Sequence, residues 1–364
     1  MYKYFTELVD FVGSRPKPFD NTKKYISTGA LKTNNISEDD IEMIDFATRP
    51  SRADLEVKNG DILFAKMAYT DKRLLVNDVE ASHIYSTGFF AVKPKDGILT
   101  AKCLYYLLSS ETFKNQKDAN STGATQKAIT IEGLKKIKLR VPEYNKQDRI
   151  GSVLENIERI IKYKQQQLSE YDQLIKSRFV EMFESFKKTD LSNIAEIIMG
   201  QSPDSAYYNE NGVGLPFFQG KADFGSKYTN VSYWTTKPSK TAKKGNVLMS
   251  VRAPVGPVNI SSVDCCIGRG LCSINAIPNK TNNEFLYNAL IAIQDQITAM
   301  GTGSTFKAIN KSDVYAIQLP LAPISLQNEF ANFVEQVDKL KFVVQKSLDE
   351  TQKLFDSLMQ EYFG

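Results

Sequence analysis

The chain has 364 residues, 42% of them hydrophobic and 24% charged, the composition of a globular protein long enough for two or three domains. Its 46 Lys and Arg against 42 Asp and Glu leave a net charge of +4, too small an excess to identify a nucleic-acid partner from charge alone. A single histidine, His83, excludes a multi-His zinc site, and Cys103, Cys265, Cys266 and Cys272 lack the paired CxxC spacing of a metal ribbon and read as a buried, reduced set.

In chain order, residues 1–20 carry no apolar core of the signal-peptide kind, and no later run reaches 18 uninterrupted apolar residues. A cytoplasmic location is expected. Residues 61–69 (DILFAKMAY) predict a strand after a Gly-bearing turn, and 85–92 another before the turn Pro94-Lys95-Asp96-Gly97. Residues 101–110 predict a helix, and 137–141 a short strand running into Pro142. From Gln147 the apolar positions Ile150, Val153, Leu154, Ile157, Ile160, Ile161, Leu168, Tyr171, Leu174, Ile175, Phe179 and Met182 step by 3, 4 and 7, the stripe of a long amphipathic helix. Residues 199–214, rich in Gly, Pro, Ser and Asn, read as loop. A strand follows at 246–252, a helix at 283–297 and a short strand at 314–319. A second long helix then carries Phe330, Phe333, Val334, Val337, Leu340, Val344, Leu348, Leu354, Phe355, Leu358, Met359 and Tyr362. At 38–40 residues each long helix spans about 60 Å.

A constant shift of 180 aligns residues 121–184 with 301–364, and 17 of those 64 positions are identical without a gap. The densest match pairs Thr122-Gly123-Ala124-Thr125-Gln126-Lys127-Ala128-Ile129 with Thr302-Gly303-Ser304-Thr305-Phe306-Lys307-Ala308-Ile309, and Gln147 pairs with Gln327. Upstream, Gly60-Asp61-Ile62-Leu63 resembles Gly245-Asn246-Val247-Leu248 at a shift of 185. The chain is a tandem repeat, each copy a variable front and a better-kept helical rear.

Motifs for catalysis are missing. There is no Walker GxxxxGK[ST], no GxSxG, and no Asp/Asn-Pro-Pro-aromatic tetrapeptide of base-amino methyltransferases. Glu56-Val57-Lys58 resembles half of a nuclease motif but has no counterpart in the second repeat. A duplicated chain without a duplicated acid, base or nucleophile points to a binding protein.

The positive signal is polar. Thr122, Thr125, Gln126 and Lys127, with Ser304, Thr305 and Lys307 in the second copy, combine hydroxyls, flexible backbone and a fixed Lys, groups that suit phosphate oxygens. The same residues also suit a strand-connecting loop whose hydroxyls cap the next element, and both readings stay open. Arg252, just after a strand, has the chemistry to pair with guanine or to form a surface ion pair. Lys66 is expected to hold the similar place in the first repeat, and Lys72, Arg73, Gln219 and Lys221 are weaker candidates of the same type.

With these features together, the chain resembles the specificity subunit of type I restriction-modification systems. The resemblance rests on Gly60-Asp61-Ile62-Leu63-Phe64, Thr122-Gly123-Ala124-Thr125-Gln126-Lys127, Leu139-Arg140-Val141-Pro142 ahead of Gln147, the stretch from Leu248 to Gly256, and Cys266-Ile267-Gly268-Arg269-Gly270-Leu271. It implies an α+β fold: two α/β target recognition domains in tandem pseudo-symmetric repeat, separated by two long antiparallel helices forming a coiled coil. On that plan residues 1–145 and 188–325 are the recognition domains, and 146–187 and 326–364 the spacer helices. The second helix runs to Gly364 with almost no tail. The resemblance further implies a subunit that is not an enzyme on its own. It would read an asymmetric bipartite duplex and dock two methyltransferase subunits and restriction/translocase subunits. No cofactor belongs to this chain on that reading; S-adenosylmethionine, ATP and Mg2+ are expected in the partners. The alternatives are a coiled-coil scaffold that does not touch DNA and a stand-alone DNA-modifying enzyme.

Overall fold

The computed structural model describes residues 1–302 and 307–364. The chain folds as two compact units, the first made of Met1–Gln165 with Lys346–Gly364 and the second of Gln166–Gln345. Both contain the same four-stranded antiparallel sheet. In the first unit its order is Val9–Val12, Phe89–Pro94, Ile62–Ala65, Arg73–Leu75. In the second it is Ala195–Met199, Leu271–Ala276, Val247–Ser250, Val258–Ile260. The inner strands Ile62–Ala65 and Val247–Ser250 are buried at every position, as their nearly continuous apolar runs require of a sheet covered on both faces.

Each unit adds a second, mixed sheet with one parallel pair, of four strands in the first unit and five in the second. Lys23–Ile26 lies parallel to Ile84–Ser86 in the first unit, and Leu215–Phe218 parallel to Cys265–Ile267 in the second. The expected strand at 85–92 is therefore two strands, Ile84–Ser86 and Phe89–Pro94, which turn at Thr87-Gly88 to join different sheets. The expected helix at 283–297 is likewise two, Asn283–Ala292 and Gln294–Met300, broken at Ile293 where φ −113° and ψ 17° leave the helical region. The expected strand at 314–319 shortens to Gln318–Pro320, because Val314 closes a helical turn, Lys311–Tyr315, capped by Asn310.

The two long helices are Tyr144–Phe183 and Ile324–Phe363, each of 40 residues. Within the first unit, Ile150 and Leu154 from the beginning of one helix share a core with Met359 and Phe363 from the end of the other. Lys164 Nζ donates to Ser347 O and Oγ and to Thr351 Oγ1, at 3.0, 2.6 and 2.8 Å. The pairing inside the second unit mirrors this. Phe330, the residue 180 positions after Ile150, packs its ring 5.5 Å from Phe179 and 5.4 Å from Phe183, and Phe285 sits 4.9 Å from Phe183. In both units the helix segments run antiparallel, and large side chains at one end of each weld them to the sheet core. The end of the second long helix is tied in: Phe363 is fully buried, and Arg140 Nη1 donates to Glu361 O at 3.0 Å.

Among the described residues no helix is long and apolar enough to cross a membrane, and no cluster of His, Cys, Asp and Glu is placed to hold a metal ion. All four cysteines are buried and unpaired, and burial pushes the thiols of Cys103 and Cys272 up to about 12.

Candidate nucleic-acid interface

In the first unit the strand Ile62–Ala65 continues past its paired residues, and Met67 forms an antiparallel bridge with Ala128. Ala128 also closes a loop on Thr122: each amide donates to the other's carbonyl at 3.0 Å. Ile129 N donates to Lys66 O at 2.8 Å and Ala68 N to Lys127 O at 2.9 Å, so strand end and loop form one backbone lattice. Gly123 has φ +139°, and a Cβ there would collide with the carbonyl oxygen of Gln126, so glycine is the residue this turn requires. Thr122, Thr125, Gln126 and Lys127 are all exposed, and their side chains make no hydrogen bond or ion pair among the described residues.

The second unit repeats the lattice. Arg252 bridges Ala308, Thr302 bridges Ala308, and Ile309 N donates to Val251 O at 3.0 Å. Arg252 and Lys307 are exposed and free of ion pairs among the described residues. Ser304 and Thr305 lie outside the described residues. Ser250 Oγ donates to Arg252 O at 3.0 Å and fixes the backbone from which the guanidinium leaves.

A third segment joins this one. Gly268 N donates to Phe218 O at 2.8 Å, and Val251 N donates to Gly270 O at 2.9 Å. A Cβ on Gly270 would collide with Gln219 O, which is how closely the two backbones approach. Gln219, Arg269, Arg252 and Lys307 therefore leave from adjacent, hydrogen-bonded segments, and Gln219, Lys221 and Arg269 are exposed. Arg269 was not among the candidates from the sequence. Its signal was there, an Arg between two glycines right after an apolar strand.

Lys66 needs correction. The bridges Met67–Ala128 and Arg252–Ala308 make Met67 the counterpart of Arg252, and Lys66 the counterpart of buried Val251. One residue of register reverses the face on which a strand side chain emerges. Lys66 Nζ instead donates to Thr87 O at 2.7 Å and sits 4.4 Å from the Phe90 ring centroid, and burial lowers its pKa. Lys72 Nζ donates to Thr28 O at 2.5 Å, half-buried. Arg73 departs furthest from the sequence reading. It is 4% exposed, with Nη1 2.7 Å from Asp71, Nη2 3.7 Å from Glu158 and its guanidinium 4.7 Å from the Tyr105 centroid. A side chain so enclosed braces the fold and does not face solvent.

Lys117, also unforeseen, has a structural task at the same loop. It is 3% exposed, and its Nζ donates to Met67 O at 3.2 Å and Thr70 O at 2.6 Å. Burial pulls its pKa down, with Asp118 and Asp71 opposing. No local pattern marks this residue in the helix Glu111–Ala119, because its partners lie about fifty residues earlier in the chain.

A family model described as the type I restriction modification DNA specificity domain matches residues 14–170 and again 183–350. The chain belongs to this family. It is a type I restriction-modification DNA specificity subunit, with two copies of the domain in tandem and long helices in each. It is 31% identical over 325 residues to a protein of Methanocaldococcus jannaschii named as the MjaX type I restriction enzyme specificity subunit, covering 82% of this chain and 76% of that one. Among solved structures it is similar to a chain from work on complex assembly and conformational transition of the type I R-M system. That match has 26% identity and a TM-score of 0.63, and covers 100% of this chain and 97% of the other. The type I S subunit from M. genitalium shares the fold, with a TM-score of 0.62 at 16% identity over 100% of this chain and 96% of that one.

Proposed function

We propose that this specificity subunit reads an asymmetric, bipartite DNA duplex, one half-site per recognition unit, and is itself non-catalytic. The observation that carries the reading is the duplicated backbone bridge, Thr122 to Ala128 and Thr302 to Ala308, each tied to a strand end and each next to an exposed Lys, Lys127 and Lys307. A common scaffold suits the phosphate backbone, which is the same at every half-site. The side chains beside it differ, Met67 in one unit and Arg252 in the other, as two unlike half-sites would require.

On this reading Lys127, Lys307 and the loop hydroxyls of Thr122, Thr125, Ser304 and Thr305 fix register on phosphates. Gln126, Gln219, Lys221 and Arg252 contact the duplex nearby, with Arg252 reading a base. The solvent-facing sides of the long helices would dock two methyltransferase subunits, and restriction/translocase subunits would join them. S-adenosylmethionine, ATP and Mg2+ would be bound by those partners, in the cytoplasm, and not by this chain. The recognition domains would span residues 1–145 and 188–325, with helix length setting the distance between half-sites.

The test is to lengthen both helices by seven residues at equivalent points, after Gln165 and after Gln345. This adds about 10 Å, close to three base pairs. Mapping methylated adenines in a host carrying the variant with its modification subunit should show the same half-sites with a wider gap. An unchanged gap overturns the ruler. A loss of sequence-specific, salt-sensitive duplex binding by the wild-type complex would favour the scaffold reading instead.

A further inference from the structure

Tyr69 is the residue of the first unit whose conformation and exposure most need a reason. Its φ is +58°, a region that bulky L-residues avoid because Cβ crowds the following carbonyl. Its side chain is 76% exposed and its ring has no aromatic or cationic partner among the described residues. A strained backbone and a bare aromatic both cost free energy, and such costs persist where the surroundings over-determine them.

The surroundings do so here. The carbonyls on either side of Tyr69, those of Met67 and Thr70, are both held by the buried ammonium of Lys117. Thr70 Oγ1 donates to Met67 O at 2.7 Å, and Asp118 Oδ1 accepts from Tyr69 N at 2.9 Å. Ala68 N donates to Lys127 O at 2.9 Å, so the ring leaves the fold one residue after the segment that is tied to the exposed Lys127 loop. These hydrogen bonds tie the loop down, while the side chain it displays has no partner among the described residues.

In the second unit, the residue two positions beyond the bridge is Pro254, also exposed. The place on the scaffold is kept and the side chain is changed. This is the distribution expected of a position that distinguishes one half-site from another.

We propose that Tyr69 is a specificity-determining residue of the first recognition unit, its ring packed against base edges in the groove of that unit's half-site. The proposal rests on the DNA-reading function argued above. The neighbouring Lys127 favours a polyanion over a protein surface, and base edges, above all thymine methyl groups, supply the apolar contact an aromatic face needs.

The experiment uses the complex of this subunit with its modification subunit. Tyr69→Ala, Tyr69→Phe and Tyr69→Gly are compared for binding to a duplex with the methylated motif and to one with the first half-site scrambled. Thermal unfolding and assembly with the modification subunit are followed alongside. Tyr69→Ala and Tyr69→Gly are expected to lose on the order of tenfold affinity for the motif duplex and nothing on the scrambled one. Tyr69→Phe should stay near wild type, since the ring makes the contact. Tyr69→Gly should unfold no earlier than wild type, because glycine adopts positive φ freely. Unchanged binding by all variants, while wild type still distinguishes the duplexes, overturns the role of Tyr69 and leaves DNA reading intact. Equal loss on both duplexes, or weakened assembly without DNA, overturns it in favour of a structural or protein-contact role. A wild-type complex that cannot tell the duplexes apart overturns the DNA reading itself, and this proposal with it.

Discussion

Gln147 and Gln327, 180 residues apart, hold the same buried position, each clipping the first turn of a long helix to the segment that enters the preceding domain's helix. Gln147 Oε1 accepts from Thr100 N at 2.8 Å, and its Nε2 donates to Ile98 O and Pro142 O, both at 3.0 Å. Gln327 Oε1 accepts from Thr281 Oγ1 at 2.8 Å and Asn282 N at 3.3 Å, while Nε2 donates to Lys280 O at 3.0 Å and Ala322 O at 2.8 Å. A primary amide has the two donors and one acceptor oxygen this arrangement consumes, which is why glutamine stands in both copies.

Removal of that amide should therefore be costly. Gln147→Ala leaves one amide and two carbonyls without their partner in a site closed to solvent, and is expected to destabilise the first unit by about 2–4 kcal/mol. Urea unfolding of the full chain measures it. A loss under about 1 kcal/mol would mean that water enters and replaces the clip.

Lys127→Ala and Lys307→Ala should weaken duplex binding to a similar degree on every sequence. Each should also flatten the dependence of log K on log salt by about 0.9, the share of one phosphate. A sequence-dependent effect, or an unchanged slope, would show that these ammonium groups do not sit on the backbone.

Arg252→Ala and Arg269→Ala address base reading in the second unit. Each is expected to cost about 1–3 kcal/mol on the natural target and to relax the methylated motif at one position of a single half-site. Sequencing of methylated adenines reads this directly. If both variants keep the motif intact, neither guanidinium contacts a base.

Gly123→Ala tests the loop. The added Cβ meets the Gln126 carbonyl at a φ glycine alone tolerates, so residues 122–128 must rearrange. DNA affinity should fall at least as far as in Lys127→Ala, while the melting temperature moves little because the loop is exposed. A drop in stability without a drop in affinity would assign the loop to folding.

His83 gives a pH test. It is 8% exposed, and burial lowers its pKa, helped by Lys24 and opposed by Glu38. The unfolded chain takes up this proton near pH 6.5 and the folded chain only at lower pH. Between those values the unfolded state binds more protons, so stability falls as pH drops below about 6.5. His83→Gln should remove that part of the slope between pH 7 and 5; an identical slope would show that carboxylates alone set it.

The long helices were legible because an amphipathic stripe is local, and the repeat because both copies keep their length downstream of Ser121. The division into two sheets was harder: Ile84–Ser86 and Phe89–Pro94 read as one run, since nothing in a pleated apolar stretch states which sheet each half will join. The error over Lys66 has a different cause. The shift of 185 at Gly60 and Gly245 aligns Met67 with Arg252, and the chemically similar Lys66 stands one residue off that register. The burial of Arg73, read from sequence as a duplex contact, and of Lys117 is not legible locally, because it depends on Glu158 and on the carbonyls of Met67 and Thr70, far along the chain.

The cores of the two units also set the order in which the units can close during synthesis. The second unit is one uninterrupted stretch, Gln166–Gln345, and can close as soon as that stretch has left the ribosome. The first unit needs Met359 and Phe363, which are translated after the whole of the second unit. The half of the protein that is made first is thus finished last, and through most of translation its Ile150 and Leu154 face lacks the helix end that covers it. Chaperone dependence would therefore be concentrated on the N-terminal half.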